Sequence, residues 1–148
     1  MFAPKNILVP TDFSKYANTV LKIAVDIANT YDANIYFLHA VDNTISRKSL
    51  DYGIRYEEIK QIEENSVNAS TEKLKQQSAN IKNDKIKIIN VTRNGDPAEV
   101  ILKEQKARKI DLIVIASHGK SGIVRYLMGS VATKVTKSAK CPVMLVKA

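Results

Sequence analysis

The sequence predicts a single α/β domain in which a five-stranded parallel sheet lies between two layers of helices. Short apolar runs alternate with helical stretches along all 148 residues, and strands joined by helices form parallel βαβ crossovers. The fourth predicted strand, Asp111–Ala116, is almost wholly apolar, as a sheet covered on both faces requires. No linker, tail or internal repeat is visible, so we expect one three-layer, doubly wound domain over residues 1–148.

The other four strands are predicted from short apolar or β-branched runs. Asn6–Val9 is apolar and ends at Pro10, and Ile35–Val41 is rich in residues that favour strands. Lys85–Val91 alternates weakly between apolar and polar residues, and Cys141–Val146 is the last apolar run. The sheet therefore has five strands in this interpretation.

Helices are predicted between the strands. Apolar residues recur at helical spacing over Ala17–Ala28, with Ser14 as the expected N-cap. Residues 54–78 are rich in Glu, Lys and Gln and predict a partly exposed helix. Asp, Pro and Glu at the start of Asp96–Lys109 predict a capped helix there. Residues 42–53 are polar and predict no regular element.

Composition excludes several classes of protein. The longest apolar run, Leu112–Ala116, is too short to span a membrane, and the first residues lack the pattern of a signal peptide. One cysteine, Cys141, excludes an internal disulfide framework and a cysteine-rich zinc site. We expect Cys141 to be a small packed residue and the protein to be cytoplasmic, where thiols stay reduced.

The positive charge is concentrated in one part of the chain. The net charge is +8, and residues 1–102 are balanced while residues 103–148 hold the whole excess. This asymmetry indicates either an anionic partner near that end or a set of solvated lysines on helix faces. The basic residues are scattered and no aromatic residues alternate with them, so we do not expect a nucleic-acid interface.

The segment after the fourth strand carries the main candidate site, because ligands on such sheets bind beyond the carboxyl ends of the strands. Ala116–Gly122 is rich in small residues, and Gly129 precedes a helix predicted over Ser130–Ser138. Free N–H groups at that helix start suit a phosphate, and Lys120 adds a charge. The alternative is a glycine-rich turn and a routine serine cap without a ligand. The segment is not a Walker A loop, because Val114 occupies the place of its first glycine.

Three further residues are weaker candidates. Asp12 ends an apolar strand, where its carboxylate either meets a partner or caps the next helix. His39 and His118 are the only histidines, and no cysteine or histidine lies at metal spacing from them, so a protein-held zinc site is not expected. No nucleophile, base and orienting residue form a set around His118, which we interpret as a loop histidine.

Several motifs together resemble the universal stress protein family. ILVPTDFS at residues 7–14 is similar to the family's Val-Pro-x-Asp-x-Ser, and the match continues through SHGKSG at residues 117–122, LMGSVA at residues 127–132 and CPVMLV at residues 141–146. The resemblance covers the whole chain. The family's Gly-x2-Gly-x9-Gly-Ser/Thr motif maps onto Gly119, Gly129 and Ser130, with Ala116 in place of its first glycine.

The resemblance implies a Rossmann-like fold of the adenine nucleotide alpha hydrolase-like type. It also implies a stress-response or signalling module that binds ATP or AMP, with Mg²⁺ or Mn²⁺ held through the phosphates. The nucleotide-binding residues it implies follow the strands: Pro10, Thr11, Asp12, Val41, Ala116, Ser117, His118, Gly119, Lys120, Ser121, Gly122, Gly129, Ser130, Val131 and Ala132. No catalytic residue and no metal-ligating residue is assigned. The alternatives are a slow ATPase and a basic interaction protein that binds no nucleotide.

The last strand predicts a homodimer. Cys141–Val146 should lie at an edge of the sheet, where Pro142 is tolerated because its missing N–H faces the open side. An apolar edge of this kind is usually covered, and a twin strand would cover it in a two-fold interface. The family resemblance points the same way.

Overall fold

A computed structural model describes residues 1–118 and 128–147 of the chain, with Ile45 described by its backbone only. Its five strands form one parallel sheet in the order β3-β2-β1-β4-β5. The strands are β1 Asn6–Pro10, β2 Asn34–Val41, β3 Ile88–Asn94, β4 Leu112–Ala116 and β5 Val143–Val146. This arrangement confirms the predicted α/β fold class, and β5 lies at a sheet edge as expected.

Five α-helices connect or flank the strands in the described part of the chain. They are α1 Ala17–Tyr31, α2 Thr44–Lys48, α3 Tyr56–Ala79, α4 Pro97–Ala107 and α5 Ser130–Ser138. None of these helices is long and apolar enough to cross a membrane.

The prediction of no regular element over residues 42–53 is wrong. This segment contains α2 and a 3₁₀ turn at Ser49–Tyr52. Asp42 Oδ1 accepts hydrogen bonds from the N–H and the hydroxyl of Thr44 at 3.0 and 2.6 Å, and these bonds lower the pKa of the Asp42 carboxyl. Ser46 Oγ lies 3.0 Å from the carbonyl oxygen of Asn43 and 3.2 Å from Glu63 Oε1 of α3, so both are acceptors for its hydroxyl. A helix of one turn stabilised by such polar contacts has no apolar periodicity to reveal it.

Both faces of the sheet are buried by helices. On one face, Ile7, Val9 and Phe37 pack in a cluster that includes residues of α1 and Leu74 of α3. On the other face, Leu8 packs in a cluster that includes residues of α4 and α5. Successive residues of β1 therefore contribute to opposite cores, which explains why this strand is apolar without alternation.

Two predicted helix starts had different outcomes. The N-cap at Asp96 is confirmed, because its Oδ2 accepts the N–H of Glu99 at 3.1 Å. The N-cap at Ser14 is wrong, because α1 starts at Ala17 with no side-chain cap. Ser14 lies too early for that role. Its carbonyl accepts the N–H of Ala17 at 3.0 Å, and its own N–H is bound to Asp12 Oδ1 at 2.8 Å.

Two strands begin at least two residues later than predicted. β3 begins at Ile88 rather than Lys85, because the side chain of Asn83 accepts the N–H of Lys85 at 3.1 Å and forms a turn there. β5 begins at Val143, immediately after Pro142. Pro142 still contributes its carbonyl, which accepts the N–H of Ile113 in β4 at 3.0 Å.

The strand order places a crevice at the centre of the sheet. The chain passes from β1 through β2 to β3 on one side, then returns to add β4 and β5 on the other side of β1. The connections therefore diverge between β1 and β4, which is the topological switch point where open α/β sheets bind ligands.

Candidate functional site

A cavity of about 420 Å³ lies at this switch point. It is walled by the carboxyl ends of β1, β2 and β4, through Pro10–Asp12, Leu38–Ala40 and Ile115–His118. The first turns of α4 and α5 complete it, with Pro97 and Ser130 among the lining residues. Its volume lies within the range of small-molecule sites, roughly 300–1,000 Å³.

Most of the wall is apolar. The apolar lining residues come from strands and helices on both sides of the crevice: Pro10, Ala17, Val20, Leu38, Ala40, Pro97, Ile101, Ile115, Ala116, Val131 and Ala132. Such a surface suits a planar, weakly polar group that is buried on both of its faces. The polar groups of the wall lie in two loops and at the start of α5.

The loop after β1 fixes one of these polar groups. Thr11 donates its N–H to the carbonyl of Leu38 at 2.8 Å, and its Oγ1 accepts the N–H of Phe13 at 3.1 Å. Asp12 Oδ1 accepts the N–H of Ser14 at 2.8 Å. Within residues 1–118 and 128–147, Asp12 Oδ2 has no hydrogen-bond partner, so one carboxylate oxygen is left for a ligand. Asp12 therefore closes a local turn and does not cap α1.

The same loop is held by an aromatic contact. Phe13 has a left-handed backbone, with φ of 62°, and its ring centroid lies 4.3 Å from that of His39. His39 Nδ1 lies 2.8 Å from the carbonyl oxygen of Thr11, so this nitrogen donates to it. Lys73 Nζ lies 5.3 Å from the centre of the Phe13 ring. These contacts hold a strained residue beside the cavity.

The start of α5 presents unpaired backbone donors. Gly129 is the N-cap, and its N–H donates to the carbonyl of Ser117 at 2.7 Å. No side chain caps this helix, and the N–H groups of Ser130, Val131 and Ala132 have no acceptor in the described part of the chain. All three residues line the cavity. The helix therefore offers both free donors and the positive end of its dipole to a ligand.

Ser117 and His118 form a polar pair in the same wall. Ser117 Oγ lies 2.9 Å from His118 Nδ1, and the Ser117 N–H donates to the carbonyl of Val146 at 2.9 Å. His118 Nε2 and Ser14 Oγ are buried without a hydrogen-bond partner among the described residues. Ser117 and His118 have no third, orienting side chain in that part of the structure, so the pair is not a triad.

The cavity brings together most of the residues predicted to bind a nucleotide. The predicted residues that line it are Pro10, Thr11, Asp12, Ala116, Ser117, His118, Gly129, Ser130, Val131 and Ala132. Gly119, Lys120, Ser121 and Gly122 lie outside the described residues. Val41 is not among the lining residues, and its carbonyl accepts the N–H of Gly95 at 2.9 Å. Ala40 lines the cavity instead.

Sequence reasoning missed nearly half of the wall. The missed residues are Ser14, Ala17, Val20, Leu38, His39, Ala40, Pro97, Ile101 and Ile115. The sequence could have indicated Pro97 as a lining residue, because this proline marks the start of a helix that follows a strand. No group of three or more His, Cys, Asp or Glu side chains is placed to hold a metal ion among the described residues.

Comparison with known proteins identifies the family. Residues 4–147 match the Universal stress protein family. The chain is 34% identical over 143 residues to universal stress protein MJ0531 of Methanocaldococcus jannaschii, covering 97% of this chain and 82% of that protein.

Solved structures agree with this match. The structure of MJ0577, also from Methanocaldococcus jannaschii, superposes with a TM-score of 0.85 at 25% identity, covering 100% of this chain and 98% of the other. A universal stress protein in complex with cAMP shares the fold with a TM-score of 0.66 at 21% identity, covering 97% of each chain. The match over nearly the whole length, together with the strand order and the switch-point cavity, shows that this chain belongs to the universal stress protein family.

Proposed function

We propose that this protein binds an adenine nucleotide, ATP or AMP, in the switch-point cavity and acts as a stress-response or signalling module. One observation carries the proposal: a largely apolar cavity ends at the uncapped N-terminus of α5. An apolar wall beside free backbone donors suits a ligand with a flat base at one end and phosphates at the other.

The base and ribose would lie among the strand ends. Leu38, Ala40 and Ile115 supply apolar surface there, and Asp12 Oδ2 is an acceptor for an amino group or a ribose hydroxyl. An adenine nucleotide, cAMP, is the ligand in one solved protein of the same fold. We infer the same class of ligand for the present chain.

The phosphates would lie at α5. The N–H groups of Ser130, Val131 and Ala132 are the donors, and Lys120, which lies outside the described residues, would add a positive charge. A Mg²⁺ or Mn²⁺ ion would be held through the phosphates, since these hard cations prefer oxygen ligands.

The proposed assembly is a homodimer formed through β5. This strand lies at the sheet edge, and Met144 is 40% exposed at its centre. Pairing with a second copy would cover the open backbone groups and Met144 together. The cytoplasm is the proposed compartment, since the one thiol of the chain, Cys141, needs no oxidising environment.

Calorimetric titration of ATP and AMP tests nucleotide binding. Gly129→Asp places a carboxylate at the N-terminus of α5, where it would repel phosphate and occupy the N–H groups. We expect this substitution to remove most of the affinity. Thr136→Asp is the matched control, because it adds the same charge to an exposed position of the same helix and should leave the affinity nearly unchanged.

Two results would contradict the proposal. Wild-type protein that binds neither ATP nor AMP would refute the ligand. Equal affinity in wild type and Gly129→Asp would refute the placement of the phosphates. Mass spectrometry of small molecules that co-purify with the protein identifies the nucleotide independently of these variants.

A further inference from the structure

Two arginines share one buried carboxylate on the α4 side of the sheet. Arg93 of β3 donates from Nε to Glu104 Oε1 at 2.9 Å, and Arg108, just after α4, donates from Nε to Glu104 Oε2 at 3.2 Å. The Glu104 side chain is 9% exposed. Each carboxylate oxygen of Glu104 therefore accepts a hydrogen bond from one arginine, and the carboxylate bridges the two guanidinium groups.

Further contacts fix the orientation of both guanidinium groups. The guanidinium carbon of Arg108 lies 5.3 Å from the centre of the Tyr36 ring, and Arg93 Nη1 donates to the carbonyl of Thr92 at 3.0 Å. Each arginine is therefore ordered before any ligand arrives, which removes much of the entropy cost of binding.

The outer donors of the two arginines are unused. Across the described residues, Arg93 Nη2 and both Nη groups of Arg108 have no hydrogen-bond acceptor. The arginine side chains are 47% and 33% exposed. Two positive charges face one negative charge, so the unit keeps a net charge of +1. Neither arginine lines the nucleotide cavity.

We propose that Arg93 and Arg108 form a second anion site that takes a phosphate group. A carboxylate presents only two oxygens, whereas a phosphate presents at least three terminal oxygens, which can accept hydrogen bonds from the unused Nη groups of both arginines at once. The source is either free inorganic phosphate or a phosphate monoester on a larger molecule. The site is separate from the proposed nucleotide site and does not depend on it.

Arginine side-chain NMR tests the site directly. The chain has five arginines, and among the described residues the Nε–H groups of Arg93 and Arg108 bind Glu104. Titration with inorganic phosphate at constant ionic strength should shift these two signals with saturation. Arg55, an exposed arginine paired with Glu58 at 2.9 Å, is the internal control and should not move. Acetate at the same concentration should bind at least roughly tenfold more weakly, because it has only two acceptor oxygens and a single negative charge.

Conservative variants keep the test clear of unfolding. Arg93→Lys and Arg108→Lys retain the charge but lose the planar guanidinium donors, and each should weaken phosphate binding roughly tenfold. Arg55→Lys is the matched control and should have no effect. Gly129→Asp, which alters the nucleotide site, should leave the shifts of Arg93 and Arg108 intact. Tighter binding of O-phospho-L-serine than of inorganic phosphate would indicate that the bound phosphate belongs to a larger molecule.

Three outcomes would overturn the proposal. A separate titration in which chloride shifts the two signals as effectively as phosphate would leave only a structural role for the arginines. Acetate as strong as phosphate would refute the choice of a phosphate. Shifts that vanish in Gly129→Asp would place the phosphate in the nucleotide cavity instead.

Discussion

The left-handed backbone of Phe13 predicts an unusual order of stability for two substitutions at this position. At φ of 62° a residue with a side chain is strained, and the left-handed conformation costs roughly 1–2 kcal/mol. Glycine has no such cost but loses roughly 0.5–1 kcal/mol of stability through the greater freedom of the unfolded chain. Phe13→Gly should therefore be more stable than Phe13→Ala by roughly 0.5–1 kcal/mol, the reverse of the usual order.

Both variants lose the same ring contacts. The stacking of Phe13 on His39 at 4.3 Å is worth about 0.5–1.5 kcal/mol. The Lys73 contact at 5.3 Å adds about 0.5–1 kcal/mol. Each variant should then be less stable than wild type. The difference between the variants isolates the backbone, because alanine and glycine differ there by one methyl group.

Urea denaturation at 25 °C measures the free energies of unfolding. Asp32 is the matched control, since it is exposed and has a φ of 53° at the end of α1. Asp32→Gly should likewise be more stable than Asp32→Ala, without any ring contact involved. If Phe13→Ala is as stable as Phe13→Gly while the Asp32 pair behaves as expected, the inference of backbone strain in the cavity loop is refuted.

Three shorter predictions concern the dimer, a helix cap and the thiol. Met144→Lys should convert a dimer into a monomer in sedimentation velocity at micromolar protein, and a monomeric wild type would contradict the proposed interface. Asp96→Ala should lower the free energy of unfolding by about 1 kcal/mol, whereas the exposed control Asp84→Ala should change it by less than about 0.5 kcal/mol. Burial, with the negative charge of Asp111, raises the pKa of Cys141 above its usual value of 9.0. Alkylation by iodoacetamide should therefore still accelerate above pH 9, and a rate that levels off below pH 8 would contradict this.

Strong local signals explain which features the sequence predicts. Leu112–Ala116 is apolar at every position, and such a short run is typical of a strand buried on both faces. Asp96 and Pro97 mark the start of α4 by chemistry that does not depend on the rest of the fold. Residues with these local signals appear in the structure where they were predicted.

Features that depend on tertiary contacts were not predictable. Leu38, His39 and Ala40 line the cavity and Val41 does not, and this limit depends on where the end of β2 lies against its neighbouring strands. The stacking of Phe13 on His39 joins residues that are 26 positions apart in the sequence. No sequence pattern in either segment predicts a positive φ at Phe13. The Arg93–Glu104–Arg108 unit also needs β3 and α4 to be packed before its charges meet.

Isoleucine methyl NMR tests the central claim most directly, because it locates the adenine. Ile101 and Ile115 line the cavity, and their δ1 methyl signals should move strongly under the ring current of a bound base when ATP or AMP is added. Ile27 and Ile86, which do not line the cavity, should stay nearly fixed. Saturable shifts of Ile101 and Ile115 alone are the predicted result. Signals that remain still at millimolar ATP, or that move equally at all four residues, would contradict nucleotide binding in this cavity.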